Sequence, residues 1–177
     1  MKLPAISKAL VATVRKDMKT RGYSLVDTSS FVTHKQWTRR RSELETYICF
    51  KNCKTDWIKK LIQWQERLLK KALPDEDFFK HGESLSLRAE KYEDDSNCDW
   101  HVDGAYIRSI CVIEGVSTQI KTPLGASSIP LGWTLFITAE GRRRRLNLRG
   151  TWHRRPKSAE RRKLIVHGWE SFQSLFF

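Results

Sequence analysis

Near the N-terminus, apolar residues recur at every fourth position, Ile6, Leu10, Val14 and Met18, with Lys8, Arg15, Lys16 and Lys19 between them. That period draws one apolar stripe along a helix, and Gly22 is placed to end it. A stronger pattern runs from Asp56 to Ala72. There Trp57, Leu61, Trp64, Leu68 and Ala72 share one face, and Lys59, Lys60, Glu66, Arg67, Lys70 and Lys71 take the other. Thr55 is a candidate N-cap, and Pro74 cannot continue the helix. A helix of this kind is expected to lie against a sheet.

Two short strand-like runs, residues 23–26 and 46–50, flank a polar stretch that contains Thr38, Arg39, Arg40 and Arg41. Beyond Gly82 the texture changes to short β-type segments punctuated by turns, at 84–91, 105–113, 117–120, 133–138, 146–152 and 163–166. A helical first half followed by many short strands predicts an α+β chain, a β-barrel or sandwich buttressed by helices on one side. We expect one domain over 1–177. Residues 1–83 would give mainly helical support with one or two strands, and 84–170 the β core.

Composition narrows the class. With 177 residues, 40% of them hydrophobic, and seven Trp and eight Phe to bury, the chain can fill one core. Lys and Arg outnumber Asp and Glu by 33 to 20, a net charge of +13 that favours acidic partners, whether an acidic substrate or nucleic acid. The basic residues are spread along the chain and form no tail. Cys49, Cys53, Cys98 and Cys111 contain no CxxC pair, and no secretory h-region opens the sequence, so free thiols in the cytoplasm or another reducing compartment are expected. No apolar run approaches the roughly 18 residues that span a bilayer.

The chemistry concentrates in Trp100-His101-Val102-Asp103-Gly104 and, some fifty residues on, Thr151-Trp152-His153-Arg154. In an extended segment residues i and i+2 point to one side, so His101 and Asp103 can present an imidazole and a carboxylate together. A second imidazole, His153, completes the two-His, one-carboxylate set that holds non-haem iron(II) on one face and leaves the other positions open. Upstream stands Leu87-Arg88-Ala89-Glu90-Lys91-Tyr92, nine residues before His101. Downstream, Ile129-Pro130-Leu131-Gly132-Trp133 leads into an apolar run.

On those motifs, in that order, residues 85–166 resemble the iron(II)/2-oxoglutarate-dependent dioxygenases, particularly their prolyl-hydroxylase-like branch. The resemblance implies a double-stranded β-helix, or jelly-roll, barrel with N-terminal helices, and iron(II) held by His101, Asp103 and His153. It implies that Tyr92 donates a hydrogen bond to 2-oxoglutarate and that a basic residue about ten positions past the distal His holds its far carboxylate. Arg161, Arg162 and Lys163 compete for that role. Arg162 is preferred because Leu164 and Val166 share its parity, and Lys163 stays open because the branch often uses Lys there. Thr118, Arg108 and Arg154 are further candidates to contact 2-oxoglutarate or an anionic substrate.

By the same resemblance, O2 is consumed and 2-oxoglutarate is decarboxylated to succinate and carbon dioxide, with ascorbate as accessory reductant. That chemistry is coupled to hydroxylation of a small-molecule or protein substrate that the sequence does not name. The competing readings are a nucleic-acid-associated protein or nucleic-acid-modifying oxygenase that uses its basic surface, including the run Gly141-Arg142-Arg143-Arg144-Arg145, and a family member that only binds a ligand. The nucleic-acid demethylase branch has a second Arg six residues past the co-substrate Arg; from Arg162 that position is Gly168. His34, His81 and His167 match no motif and are read as structural or surface residues, and Trp100 and Trp152 as packing or pocket-lining residues.

Overall fold

The computed structural model describes residues 2–32, 47–48, 56–75, 86–92, 98–102, 107–138, 151–157 and 162–169. Helix α1 (Lys8–Arg21) starts at Ser7, whose hydroxyl accepts from the Leu10 amide at 3.1 Å, and stops at Gly22 in the left-handed conformation (φ 79°). Helix α2 spans Asp56–Ala72, the bounds that its apolar period predicts. The two helices are tied end to side. Arg15 of α1 donates to the carbonyls of Ala72 (2.8 Å) and Lys71 (2.9 Å), satisfying last-turn acceptors of α2 that lack helical partners.

Ten strands are assigned among the described residues, and all their pairings are antiparallel. The larger sheet takes β1 (Tyr23–Val26), β8 (Thr134–Thr138), β5 (Ile107–Glu114), β10 (Arg162–Trp169), β3 (Ser86–Tyr92) and β2 (Tyr47–Ile48), in that spatial order. The smaller takes β4 (Cys98–His101), β9 (His153–Arg155), β6 (Gln119–Thr122) and β7 (Gly125–Ser128).

The larger sheet is covered on both faces. One face packs against the helices, with Phe136, Cys111, Ile165 and Trp169 against Met18, Leu61, Trp64 and Leu68. On the other, Ile110, Val112, Leu135, Ile137, Leu164 and Val166 meet Ile120 and Ile129 from the smaller sheet and the turn beyond it. Burial on both sides explains why β5 and β8 read as continuous apolar runs and do not alternate. The α2 interface also carries polar groups. Gln65, fully buried, accepts from the Ser109 hydroxyl at 2.8 Å and donates weakly to Thr134 at 3.4 Å.

Several expected elements move. Only the end of the run expected as a strand at 146–152 falls among the described residues. Residues 146–150 lie outside the described residues, Thr151 and Trp152 precede the strand, bonded through their backbones to Thr138 and Lys121, and β9 starts at His153. The two buried positions of β9 are His153 and Arg155, which carry no apolar signal. Cys98 and Asp99, outside the β-type segments expected from the sequence, belong to β4, and Gly125–Ser128 forms a strand whose composition gives no β signal. The strand expected at 117–120 begins two residues later, at Gln119. Thr55, the stretch 38–41 and the basic run 141–145 lie outside the described residues. No helix among the described residues is long and apolar enough to cross a membrane.

Candidate functional site

The smaller sheet brings the two histidines of the motif together. His101 is the register partner of His153 across β4 and β9, and His153 is in turn the partner of Ile120 across β6 and β9. Residues directly opposite one another in an antiparallel ladder point to the same side, and Ile120 belongs to the core between the sheets, so both imidazoles face inward. Their ring centroids are 4.2 Å apart, inclined at 53°.

Each ring is fixed by its own strand. His101 Nδ1 lies 2.7 Å from the carbonyl of Asp99, and His153 Nδ1 lies 3.2 Å from the carbonyl of Thr151. A carbonyl only accepts, so each Nδ1 carries a proton, and the tautomer this selects would place the lone pair of a neutral ring on Nε2. A metal-binding imidazole needs this arrangement, in which a hydrogen bond on one nitrogen fixes the tautomer of the other. Asp103, the expected third ligand, lies outside the described residues, and among the described residues no three His, Cys, Asp or Glu side chains cluster as a metal site.

A second group of polar residues lies beside this pair. Arg162 opens β10 with Leu164 and Val166 on its own side, the side facing the smaller sheet, and its guanidinium donates to the Thr118 hydroxyl. Thr118 immediately precedes β6, and its carbonyl accepts from the Ile129 amide at 2.9 Å. It sits diagonally across from His153, a spacing of roughly 7–8 Å between α-carbons in such a ladder. Both Arg162 and Thr118 are buried. Tyr92 closes β3 opposite Arg162 in the backbone register. Arg161 lies outside the described residues, and Lys163 takes the alternate position in β10.

Other candidates fall elsewhere. Arg108 shares the inner face of β5 with Ile110 and Val112, but its β10 partner is Gly168, six residues along the strand from Arg162. At about 3.3 Å per residue the two are roughly 20 Å apart, so they do not form one cluster. Arg154 turns away from the pocket: its Nε donates to Gln119 at 2.8 Å and its guanidinium covers the Trp100 ring at 4.6 Å. Trp152 is exposed, and His167 is buried against Trp169 on the helix side.

One inward residue escapes sequence reasoning. Arg155 is 4% exposed, as are Arg162 and His153, and it follows His153 at the same-face interval of two. Inside the run Arg154-Arg155 it reads as solvated charge. The signal that could have found it is its parity with His153.

No protein-family model matches the chain, and no curated protein sequence does. Solved structures do. A prolyl-4-hydroxylase from Pseudomonas putida superposes with a TM-score of 0.65 over 96% of this chain and 94% of its own, at 13% identity. A prolyl hydroxylase from Trichoplax adhaerens, solved with a hypoxia-inducible-factor peptide, gives 0.68 over 96% and 93%, at 11% identity. The chain has the prolyl-hydroxylase fold. Its α+β double-stranded β-helix is the one expected from the motifs, with the smaller sheet carrying the histidine pair and the larger one Arg162. A viral collagen prolyl hydroxylase from Paramecium Bursaria Chlorella virus-1, solved with 2-oxoglutarate, shares this fold at TM-score 0.57, with 13% identity, 85% of this chain and 96% of its own covered.

Proposed function

We propose that the protein is an iron(II)- and 2-oxoglutarate-dependent hydroxylase. The observation that carries this reading is the inward-facing, register-paired His101 and His153, each with Nδ1 held by a backbone carbonyl, one ladder diagonal from the buried Arg162–Thr118 contact. Imidazole nitrogens in that tautomer would suit a borderline cation such as iron(II). Asp103, two residues after His101, would supply the carboxylate. Iron bound there would supply O2 activation coupled to decarboxylation of 2-oxoglutarate.

This chain's residues do the rest. His101 and His153 stand side by side on the inner face, and with their protons held on Nδ1 by backbone carbonyls, Nε2 would be the ligating atom of each. Arg162 and Thr118 offer charge and hydrogen bonds to the far carboxylate of 2-oxoglutarate, and Tyr92 is assigned a further hydrogen bond to it. A guanidinium suits this buried position because it stays protonated and presents parallel donors to a planar anion. The apolar residues around them, Leu164, Val166 and Ile120, keep water from competing. Arg108, at the far end of the same inner face, is assigned to an acidic substrate.

The test is succinate formation by the purified protein with iron(II), ascorbate and 2-oxoglutarate, read beside iron binding under anaerobic conditions. Stoichiometric iron binding, lost in His101→Ala and His153→Ala, together with succinate above the no-enzyme control, supports the reading. Wild-type protein that binds no iron and forms no succinate overturns it.

A further inference from the structure

Arg155 has no role in the reading above, yet it is buried as deeply as Arg162 and lies on the His153 side of β9. The β6–β9 register pairs Ile120 with His153 and Gln119 with Arg154, so one step beyond the ladder Thr118 comes opposite Arg155. Thr118 also accepts from Arg162. Two buried arginines, one from each sheet, thus meet at Thr118, Arg162 through its hydrogen bond to the hydroxyl and Arg155 through the backbone register.

Resting on the proposed 2-oxoglutarate site, we propose that Arg155 is the second arm of a two-arginine clamp for the far carboxylate of a 2-oxo dicarboxylic acid. An ionised carboxylate has two oxygens and about four acceptor positions, more than one Arg fork fills. Arg162 approaches from the larger sheet and Arg155 from the smaller. Thr118 Oγ1 is occupied as an acceptor by Arg162, so its own proton is left to donate to the ligand. Both arginines present only donors and stay charged, so the end they flank selects an anion over a neutral chain of the same length. Arg155 is two residues from His153, which ties this selection to the strand that carries the imidazole. The clamp makes Arg155 a specificity-determining residue: 2-oxo acids that end in a carboxylate are retained, and those that end in a methyl group are not.

The experiment is calorimetric titration of the full-length, iron(II)-loaded protein without oxygen, using 2-oxoglutarate and 2-oxopentanoate, which lacks the far carboxylate. Arg155→Met is expected to weaken 2-oxoglutarate binding by about tenfold or more, as for loss of a hydrogen bond to a charged group, with 2-oxopentanoate unaffected. Arg162→Met is expected to do the same. Wild-type affinity for 2-oxoglutarate in Arg155→Met, with a loss in Arg162→Met, overturns the second arm and leaves the proposed activity standing. Failure of the wild type to prefer 2-oxoglutarate over 2-oxopentanoate overturns both. If Arg155→Met does not fold, by circular dichroism, Arg155→Lys keeps the charge without the fork. It is then expected to bind 2-oxoglutarate severalfold more weakly, and unchanged affinity overturns the clamp.

Discussion

The guanidinium of Arg162, on the larger sheet, donates to the hydroxyl of Thr118, at the start of β6 in the smaller one. Both residues are buried, and their contact joins the two sheets beside the histidine pair. In Thr118→Val the shape is kept and the acceptor is lost. We expect thermal unfolding to show a loss of about 1–3 kcal/mol, the usual penalty for removing a buried polar partner, and Thr118→Ser to restore most of it.

Gln65 joins α2 to the larger sheet through Ser109 and Thr134. Gln65→Leu leaves the Ser109 hydroxyl facing an apolar side chain, and urea unfolding should show it about 1–3 kcal/mol less stable. Adding Ser109→Ala should return part of that loss, since the two residues share one interaction. Strict additivity of the two substitutions would show that the contact contributes nothing.

Gly132 ends the Pro130-Leu131-Gly132 turn in the left-handed region, at φ 76°, where an added Cβ would lie 2.9 Å from Ser29 Cα and 3.0 Å from Ser29 Cβ. Its carbonyl also accepts from the Thr28 hydroxyl at 2.5 Å, so the turn cannot swing away freely. Gly132→Ala therefore combines backbone strain of about 1–3 kcal/mol with a clash. Gly125, at φ 112°, has open space around its Cβ direction and meets only the strain. Chemical denaturation should find Gly132→Ala the more damaging of the pair.

Cys111 lies on the helix-facing side of β5, and burial pushes its thiol from 9.0 up to about 12, partly opposed by the nearby Thr28 hydroxyl. A raised folded value means that the neutral thiol stabilises the fold at neutral pH. That contribution is lost as pH rises from 9.0, where the unfolded thiol ionises, to about 12. At pH 8 the peptide containing Cys111 should resist iodoacetamide in the native protein and react in denaturant, as mass spectrometry would show. Rapid native labelling would contradict the burial.

What the sequence made legible follows from which side of an element water touches. Helices α1 and α2 each show a polar face, so their period survives in the letters, and the bounds of α2 were readable to the residue. Strands β5 and β8 were readable as apolar runs because both faces are covered. Strands β4, β7 and β9 were not, since Cys-Asp-Trp-His, Gly-Ala-Ser-Ser and His-Arg-Arg carry no β pattern and are extended because their neighbours pair with them. Within the site, the inward facing of Arg162 followed from the parity of Leu164 and Val166. Arg155 was hidden because a buried arginine and a solvated one are written with the same letter, and only the register with His153 tells them apart.

The Nδ1 protons of both histidines rest on main-chain oxygens, those of Asp99 and Thr151. A main-chain acceptor does not change with the side chain it carries, so both of these contacts can persist while the letters at Asp99 and Thr151 vary. An orientation set by the main chain belongs to the architecture and not to the text of the protein.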